Sequence, residues 1–122
     1  MKSLLSIVAF LIISVVSFSQ SVNFKEKEFN FGKIKQNVPA THVFTFTNNG
    51  TKPIVIENAV AQCGCTKPEY PVEPIFKGKS AEIKVTFNAA NLGAFTKKVT
   101  INVANDPNPI EIFITGEVVA NQ

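Results

Sequence analysis

Two cysteines separated by one glycine are the residues of this sequence with the clearest capacity for chemistry. The motif Cys63-Gly64-Cys65-Thr66 is followed directly by Lys67 and Pro68. Glycine between the cysteines lets the backbone turn tightly enough to bring the two Cα atoms within the range of about 4.4–6.8 Å that a disulfide requires. We expect such a ring to be strained, and strained disulfides exchange more readily with other thiols. As a cross-link it contributes little, because so short a loop removes little chain entropy.

Thiol–disulfide exchange is one alternative to a merely structural disulfide. It needs an exposed thiol of low pKa, which proteins create at helix N-termini or beside cations. Lys67 is the adjacent cation, whereas the carboxylates of Glu69 and Glu73 act in the opposite direction. The sequence therefore keeps redox exchange at Cys63 and Cys65 open without favouring it.

Metal binding is a further alternative, since two thiolates can hold Cu(I) in a near-linear site. Cys63 and Cys65 would be the only ligands, because His42 belongs to another predicted strand and Met1 belongs to an N-terminal segment that is expected to be cleaved. A closed zinc site needs four ligands and would have to form between chains. We therefore expect no cofactor, with Cu(I) as the alternative. A last interpretation is that the thiols stay free in a loop that contacts a partner.

The acid–base candidates are less informative than the cysteine pair. His42 shares strand parity with two phenylalanines, which indicates a strand residue with a satisfied hydrogen bond. Glu69 and Glu73 flank Tyr70 in a proline-rich segment, where carboxylates are usually solvated. No catalytic serine triad, phosphate-binding glycine loop or metalloprotease helix is present in the sequence. We expect no catalytic residues, and a carbohydrate-active enzyme that uses the two glutamates is a distant third hypothesis.

The N-terminus has the composition of a secretory signal peptide. Lys2 gives a short positive region, and residues 4–18 are apolar apart from serines. This run is shorter than the roughly 20 apolar residues of a spanning helix. We expect cleavage before Gln20, which gives a signal peptide over residues 1–19, a mature domain over residues 20–122 and no membrane span after cleavage. The predicted location is the periplasm or the cell exterior, where an oxidised cysteine pair is the default.

The amino-acid composition limits the class of partner that the protein can bind. The chain has 122 residues and 12 basic ones, all of them lysines. Without arginine, the bidentate recognition of phosphate or guanine is missing, and the lysines alternate with glutamates rather than forming a patch. We therefore expect no nucleic-acid binding. Eleven phenylalanines and no tryptophan indicate that aromatic side chains serve the core.

The mature segment alternates apolar and polar residues with the period of a β-strand. The strongest alternation spans 41–47, 81–88, 95–103 and 110–116, and a first strand region around residues 22–31 is bent near Gly32. Asn48-Asn49-Gly50 predicts a tight hairpin turn into a returning strand over residues 53–61. Residues 62–78 contain three prolines and are predicted to be a connection.

These patterns predict an all-β domain: an immunoglobulin-like antiparallel β-sandwich of about seven strands. Unlike antibody domains, it has no pair of distant cysteines and no tryptophan, so packing alone must hold it together. Nine apolar residues are expected to form the core: Phe44, Phe46, Ile56, Ile83, Val85, Phe87, Val99, Ile101 and Ile112.

Several short motifs together resemble domain-of-unknown-function family 1573. They are Phe31-Gly32-Lys33-Ile34, Phe44-x-Phe46, Asn48-Asn49-Gly50, Cys63-Gly64-Cys65-Thr66-x-Pro68, Pro74-Ile75-x-x-Gly78, Ile83-x-Val85-x-Phe87, Gly93-x-Phe95, Asn105 and Gly116. The resemblance covers nearly the whole mature chain. It implies an exported bacterial domain with an immunoglobulin-like sandwich of Hydin-type or PapD-like shape, and it implies no activity.

The leading functional hypothesis is a non-enzymatic binding or structural module with a protein or cell-envelope partner. It depends on the sandwich fold and on exposed strand edges that accept a partner strand. The alternative is a thiol-redox or Cu(I)-handling protein that uses Cys63 and Cys65.

Overall fold

A computed structural model describes residues 21–121, and these residues form strands and loops without a helix. The predicted signal peptide, residues 1–19, lies outside the described residues. Within residues 21–121 no helix is long and apolar enough to cross a membrane. The eight strands are β1 (Val22–Phe24), β2 (Glu28–Lys35), β3 (Ala40–Asn48), β4 (Ile56–Ala61), β5 (Thr66–Glu69), β6 (Ser80–Phe87), β7 (Gly93–Val103) and β8 (Ile110–Val119).

The strands form two sheets of four that pack face to face. Sheet 1 has the order β1-β3-β6-β5, and sheet 2 has the order β2-β8-β7-β4. The predicted all-β, immunoglobulin-like sandwich is confirmed. One pairing differs from a purely antiparallel arrangement, because β2 runs parallel to β8. β2 follows β1 after residues 25–27, which take the chain from sheet 1 to sheet 2.

The core lies between the inner faces of the two sheets. All nine residues predicted to form it are buried, with relative exposures of 4% or less. Alternation explains the agreement, since every second residue of a strand points to the same face of its sheet. Phe24 adds a ring that packs against Phe46, with their centroids 5.2 Å apart. The core is therefore a continuous apolar layer that involves strands of both sheets.

The first strand region changes sheets earlier than the sequence suggests. β1 pairs with β3 in sheet 1, and after residues 25–27 the chain continues as β2 in sheet 2. Gly32, where a bend was expected, lies instead at a register shift within β2 and has a φ of +70°. The Asn30 side-chain oxygen accepts the Gly32 N–H at 2.8 Å, which stabilises this bulge.

The predicted hairpin at Asn48-Asn49-Gly50 is wrong. β3 pairs with β1 and β6, whereas β4 belongs to the other sheet. Asn48 explains the path, because its fully buried amide donates to the carbonyls of Lys52 and Ile75 at 2.8 Å each. Its side-chain oxygen also accepts the Gly50 N–H at 2.9 Å. Gly50 is needed for close approach rather than for positive φ, since a Cβ there would lie 2.6 Å from the Cβ of Ser21.

The segment predicted as a connection over residues 62–78 contains the short edge strand β5. Pro68 hides this strand from pattern analysis, because proline is rare inside a sheet. In the structure Pro68 stands opposite Val85 on β6. The Asn88 N–H donates to the Cys65 carbonyl at 2.9 Å, so hydrogen-bonded pairs fall at every second position from residue 65. Any residue at position 68 would direct its N–H away from β6. Proline there therefore removes no hydrogen bond of the ladder.

Truncation of a core phenylalanine tests the packing. We expect Phe46→Ala to lower the free energy of unfolding by about 3–5 kcal/mol, because it empties a fully buried site. Urea denaturation measures the loss. Phe76→Ala is the matched control, since Phe76 is 59% exposed. Equal denaturation midpoints for the two variants would contradict the core assignment.

Substitution of Asn48 tests the polar anchor. Asn48→Asp keeps the shape of the side chain but replaces its NH2 group, which donates two hydrogen bonds, with an oxygen that faces the same two carbonyls. We expect a loss of about 2–6 kcal/mol, since two carbonyls lose their donor and each such loss costs about 1–3 kcal/mol. Asn49→Asp is the control, because the side chain of Asn49 is exposed. Thermal unfolding that shifts by the same amount in both variants would show that Asn48 is not an anchor.

Candidate functional site

The cysteine motif forms a corner at which the chain passes from sheet 2 to sheet 1. β4 ends at Ala61 and β5 begins at Thr66. The corner is anchored on the sheet 2 side, where the Gln62 N–H donates to the Lys98 carbonyl at 3.0 Å and the Gln62 side chain accepts the Lys98 N–H at 3.2 Å. On the sheet 1 side the Asn88 N–H donates to the Cys65 carbonyl. The hydrogen bonds to Lys98 of β7 and to Asn88, directly after β6, therefore fix the position of the two cysteines.

Cys63 and Cys65 are joined by a disulfide, with their Cα atoms 5.2 Å apart. Both residues are half-buried, and Gly64 between them is exposed. Gly64 does not adopt a left-handed backbone, and a Cβ placed there would meet no heavy atom within 4 Å outside its chain neighbours. The glycine is therefore not required sterically, and the outer side of the ring is open to solvent.

Thr66 is the polar residue that contacts the disulfide. Its side chain is buried, and its Oγ1 lies 3.6 Å from the Sγ of Cys65 and 3.9 Å from the Sγ of Cys63. Disulfide sulfurs carry no hydrogen, so the threonine hydroxyl is the donor. Thr66 faces inward because it starts β5 in the same orientation as the core residue Phe87 opposite it.

The other motif residues point elsewhere. Lys67 follows Thr66 in the strand, so its side chain projects from the opposite face and is exposed. Pro68 is half-buried on the Thr66 face. The lysine that lines a small cavity together with Cys65 is instead Lys97 of β7. The sequence does not reveal Lys97 as a neighbour of Cys65, because 32 positions separate the two residues and only the sheet arrangement brings them to one cavity.

The cavity beside Cys65 has a volume of about 110 Å³. Phe87 and Phe95 form part of its wall, with their rings stacked at a centroid distance of 4.2 Å. Leu92, at the rim, is 58% exposed. Lys97 is the one charged residue among those that line the cavity. Cys65 therefore borders an opening whose wall combines two aromatic rings with two asparagines and one lysine.

The acid–base candidates do not form a site together. His42 stacks on Phe29 at a centroid distance of 3.6 Å and contacts the carboxylate of Glu26. Glu69 forms an exposed ion pair with Lys84 at 3.8 Å, and Glu73 is exposed in the following loop. His42 thus has the satisfied polar contact expected of it, within a cluster of aromatic side chains.

No cluster of three or more His, Cys, Asp or Glu side chains suited to a metal occurs among residues 21–121. The donor set at the corner is the sulfur pair alone. Cu(I) binding at Cys63 and Cys65 would require reduction of their disulfide, because the ligand is the thiolate.

A second surface feature is the free edge of β4, next to the cysteine corner. The bond from the Gln62 N–H to Lys98 makes residues 62 and 98 a hydrogen-bonded pair of the antiparallel ladder. By alternation, Val60 also bonds to β7, whereas the N–H and carbonyl groups of Ala59 and Ala61 point away from it. In residues 21–121 no other strand pairs with this edge.

Comparison with known proteins supports the fold and leaves the activity open. The family described as "Protein of unknown function (DUF1573)" matches residues 22–118. No curated protein matches the sequence significantly. Among solved structures, the ASH/PapD-like domain 7 of human CEP192 is similar with a TM-score of 0.67 and 11% identity, over 85% of this chain and 89% of that one.

Two bacterial structures are similar over only part of their length. The protease VesB of Vibrio cholerae has a TM-score of 0.64 and 12% identity, over 80% of this chain and 32% of its own. A protein of unknown function from Porphyromonas gingivalis W83 has a TM-score of 0.67 and 12% identity, over 79% of this chain and 46% of its own. At these identities the likeness shows the fold alone.

Removal of the disulfide tests whether it is a structural cross-link. We expect the double variant Cys63→Ser, Cys65→Ser to lower the free energy of unfolding by about 1–2 kcal/mol, the entropy contribution of a three-residue loop. Chemical denaturation measures the change. As a control, the intact mass of the unreduced wild-type protein should be unchanged by alkylation and should gain two alkyl groups after reduction. Two alkyl groups without reduction would contradict the disulfide, and a loss of 4 kcal/mol or more would make it a structural staple.

Proposed function

We propose that this chain, which belongs to the DUF1573 family, is an exported, non-enzymatic binding module that adds an extended segment of a partner protein to the free edge of β4. The immunoglobulin-like fold supports a binding role, because such sandwiches present strand edges to their surroundings. The signal-like N-terminus supports a location in the periplasm or at the cell exterior. The observation that carries the proposal is the unpaired edge of β4.

Of the four edge strands, β4 is the least protected against pairing with another chain. β1 has three residues, and β5 has four with a proline at its centre. β2 is bulged and carries lysines and a glutamate along its length. Short length, proline, bulges and charge are the devices by which proteins block sheet edges. The stretch from Asn58 to Ala61 in β4 has no proline, no charged side chain and no bulge.

The geometry of this edge indicates what it would bind. Ala59 and Ala61 direct their backbone groups outward and carry small, half-buried side chains. A partner residue beside them has room for an apolar side chain at the border of the core. On the outer face Val60 is 53% exposed and can pack against another such side chain. The expected ligand is therefore an extended peptide with apolar residues on both faces.

The neighbouring loop sets one limit of the binding edge. The Tyr70 hydroxyl donates to the Glu57 carbonyl at 3.4 Å, which occupies the edge at the start of β4. A bound segment would lie from Asn58 towards the cysteine corner. A partner strand of about four residues fits this length.

Identification of the partner segment comes first in the test. A photo-crosslinking amino acid at position 60 of the full-length protein, introduced in the producing cell, should capture a partner segment that mass spectrometry can sequence. The same amino acid at position 84, on the outer face of sheet 1, is the control. The captured sequence is then made as a synthetic peptide, and its dissociation constant is measured.

A proline scan then tests the edge. Ala61→Pro removes an outward N–H and keeps every bond to β7, so we expect peptide binding to weaken about tenfold or more while the melting temperature changes little. Val60→Pro is the matched control: it removes a ladder bond and should lower the melting temperature. Unchanged binding by the Ala61→Pro variant would contradict strand addition. A lost enzymatic turnover after deletion of the domain, without a lost interaction, would contradict the binding role itself.

A further inference from the structure

The disulfide at the corner contributes little as a cross-link, yet it lies beside an accessible, positively charged cavity. We propose that Cys63 and Cys65 form a thiol–disulfide exchange site that oxidises a dithiol in a partner peptide or protein. This inference goes beyond strand addition and does not depend on it. It is carried by three features of the described residues: a cavity that Cys65 lines and Cys63 does not, a lysine in the wall of that cavity, and a hydroxyl in contact with both sulfurs.

Access favours Cys65 as the sulfur that is attacked. Cys65 lines the cavity of about 110 Å³, whereas Cys63 does not. The volume is sufficient for a cysteine thiol with its methylene group. The apolar wall formed by Phe87 and Phe95 accepts that methylene group.

Charge in the cavity favours the reactive form of the incoming group. The attacking species in disulfide exchange is the thiolate, an anion. Lys97 is the charged residue in the cavity wall, and it has no ion-pair partner among residues 21–121. Its neighbour Lys98, by contrast, is paired with Glu111 at 3.4 Å. Lys97 is therefore available to attract a thiolate towards Cys65.

The buried hydroxyl of Thr66 is placed to stabilise the sulfur that leaves. In the oxidised protein its hydrogen-bond contacts are the two disulfide sulfurs, which are weak acceptors. A thiolate is a much stronger acceptor, so the same hydroxyl gains a charge-assisted hydrogen bond when the disulfide opens. Stabilisation of the leaving thiolate speeds exchange.

The reaction then proceeds in two balanced steps. The partner thiolate attacks the Sγ of Cys65, a mixed disulfide forms there, and the electron pair of the Cys63–Cys65 bond leaves on the Sγ of Cys63. A second thiolate of the partner attacks its own sulfur in the mixed disulfide and expels Cys65. The partner gains a disulfide, and the cysteine pair takes up two electrons and two protons. Each protein molecule oxidises one dithiol.

Trapping of the mixed disulfide tests which sulfur reacts. The oxidised protein is mixed with a synthetic peptide that has one cysteine beside a leucine, and iodoacetamide is added within seconds. Proteolysis and mass spectrometry should locate the peptide on Cys65 and the alkyl group on Cys63. Equal amounts of peptide on the two cysteines would overturn the assignment of the cavity as the point of attack.

The rate of exchange tests whether the fold promotes the reaction. A synthetic dithiol peptide is oxidised by the intact protein and, as the reference, by the oxidised pentapeptide Gln-Cys-Gly-Cys-Thr. We expect the protein to react about tenfold faster or more, because the pentapeptide lacks the cavity and Lys97. A protein rate equal to or below that of the pentapeptide would overturn the proposal and leave the disulfide structural.

Three variants separate the contributions of Thr66 and Lys97 to the exchange rate. Thr66→Val keeps the volume and should slow exchange about tenfold, the value of one hydrogen bond to a charged group. Lys97→Gln should slow it about two- to fivefold, and Lys84→Gln, on the outer face of sheet 1, should leave it unchanged. Melting temperatures show whether each variant is folded. If the Thr66→Val variant is unstable, the exchange rates of the Lys97→Gln and Lys84→Gln variants alone test the proposal. Equal exchange rates for these two variants would contradict the role of the cavity.

Discussion

The packing of the two inner sheet faces against each other is the constraint on which the rest of this structure depends. Apolar residues at every second position of the long strands form this buried layer, and side chains such as Phe44, Ile83 and Ile112 are fully buried in it. Polar groups are excluded from the layer unless every hydrogen bond is satisfied, as it is for Asn48. Chemistry is therefore restricted to the ends and edges of the sandwich, where the chain changes sheets or leaves a strand unpaired.

The same constraint determines how much of the fold the sequence predicts. Alternation with period two is a local signal, so the class of fold, the nine core residues and the longer strands could be predicted from it. The pairing of strands is not local, and it depends on contacts between distant residues. The Asn-Gly turn shows the difference: turn chemistry is correctly present, yet the buried amide of Asn48 bonds to Lys52 and Ile75 and directs the chain to the other sheet. Likewise, Pro68 conceals a strand that only the register with β6 explains.

The candidate site likewise has one part that the local sequence predicts and another part that depends on strand pairing. The spacing of Cys63 and Cys65 identifies the reactive pair directly, because a disulfide between them needs only local geometry. The groups that would tune the pair come from elsewhere: the Thr66 hydroxyl faces the sulfurs because β5 pairs with β6, and Lys97 reaches the cavity from β7. Sequence reasoning chose Lys67 as the relevant cation by proximity along the chain. The strand period places Lys67 on the opposite face from Thr66, so adjacency in sequence is a poor guide inside a strand.

The free edge of β4 and the cysteine corner follow each other directly along the chain. The unpaired backbone groups of Ala61 lie two residues before Cys63, at the end of β4 where a bound strand would terminate. A partner whose cysteines adjoin the end of its pairing segment nearest the corner would be held near the disulfide, so that exchange with it becomes effectively intramolecular. Tethering of this kind raises effective concentrations to the millimolar range without any new contact. Strand addition would thus select the partner by backbone pairing, while the cavity beside Cys65 would act on whichever thiol the bound segment presents. A modest exchange rate towards free peptides and a high selectivity towards one bound partner are compatible for this reason.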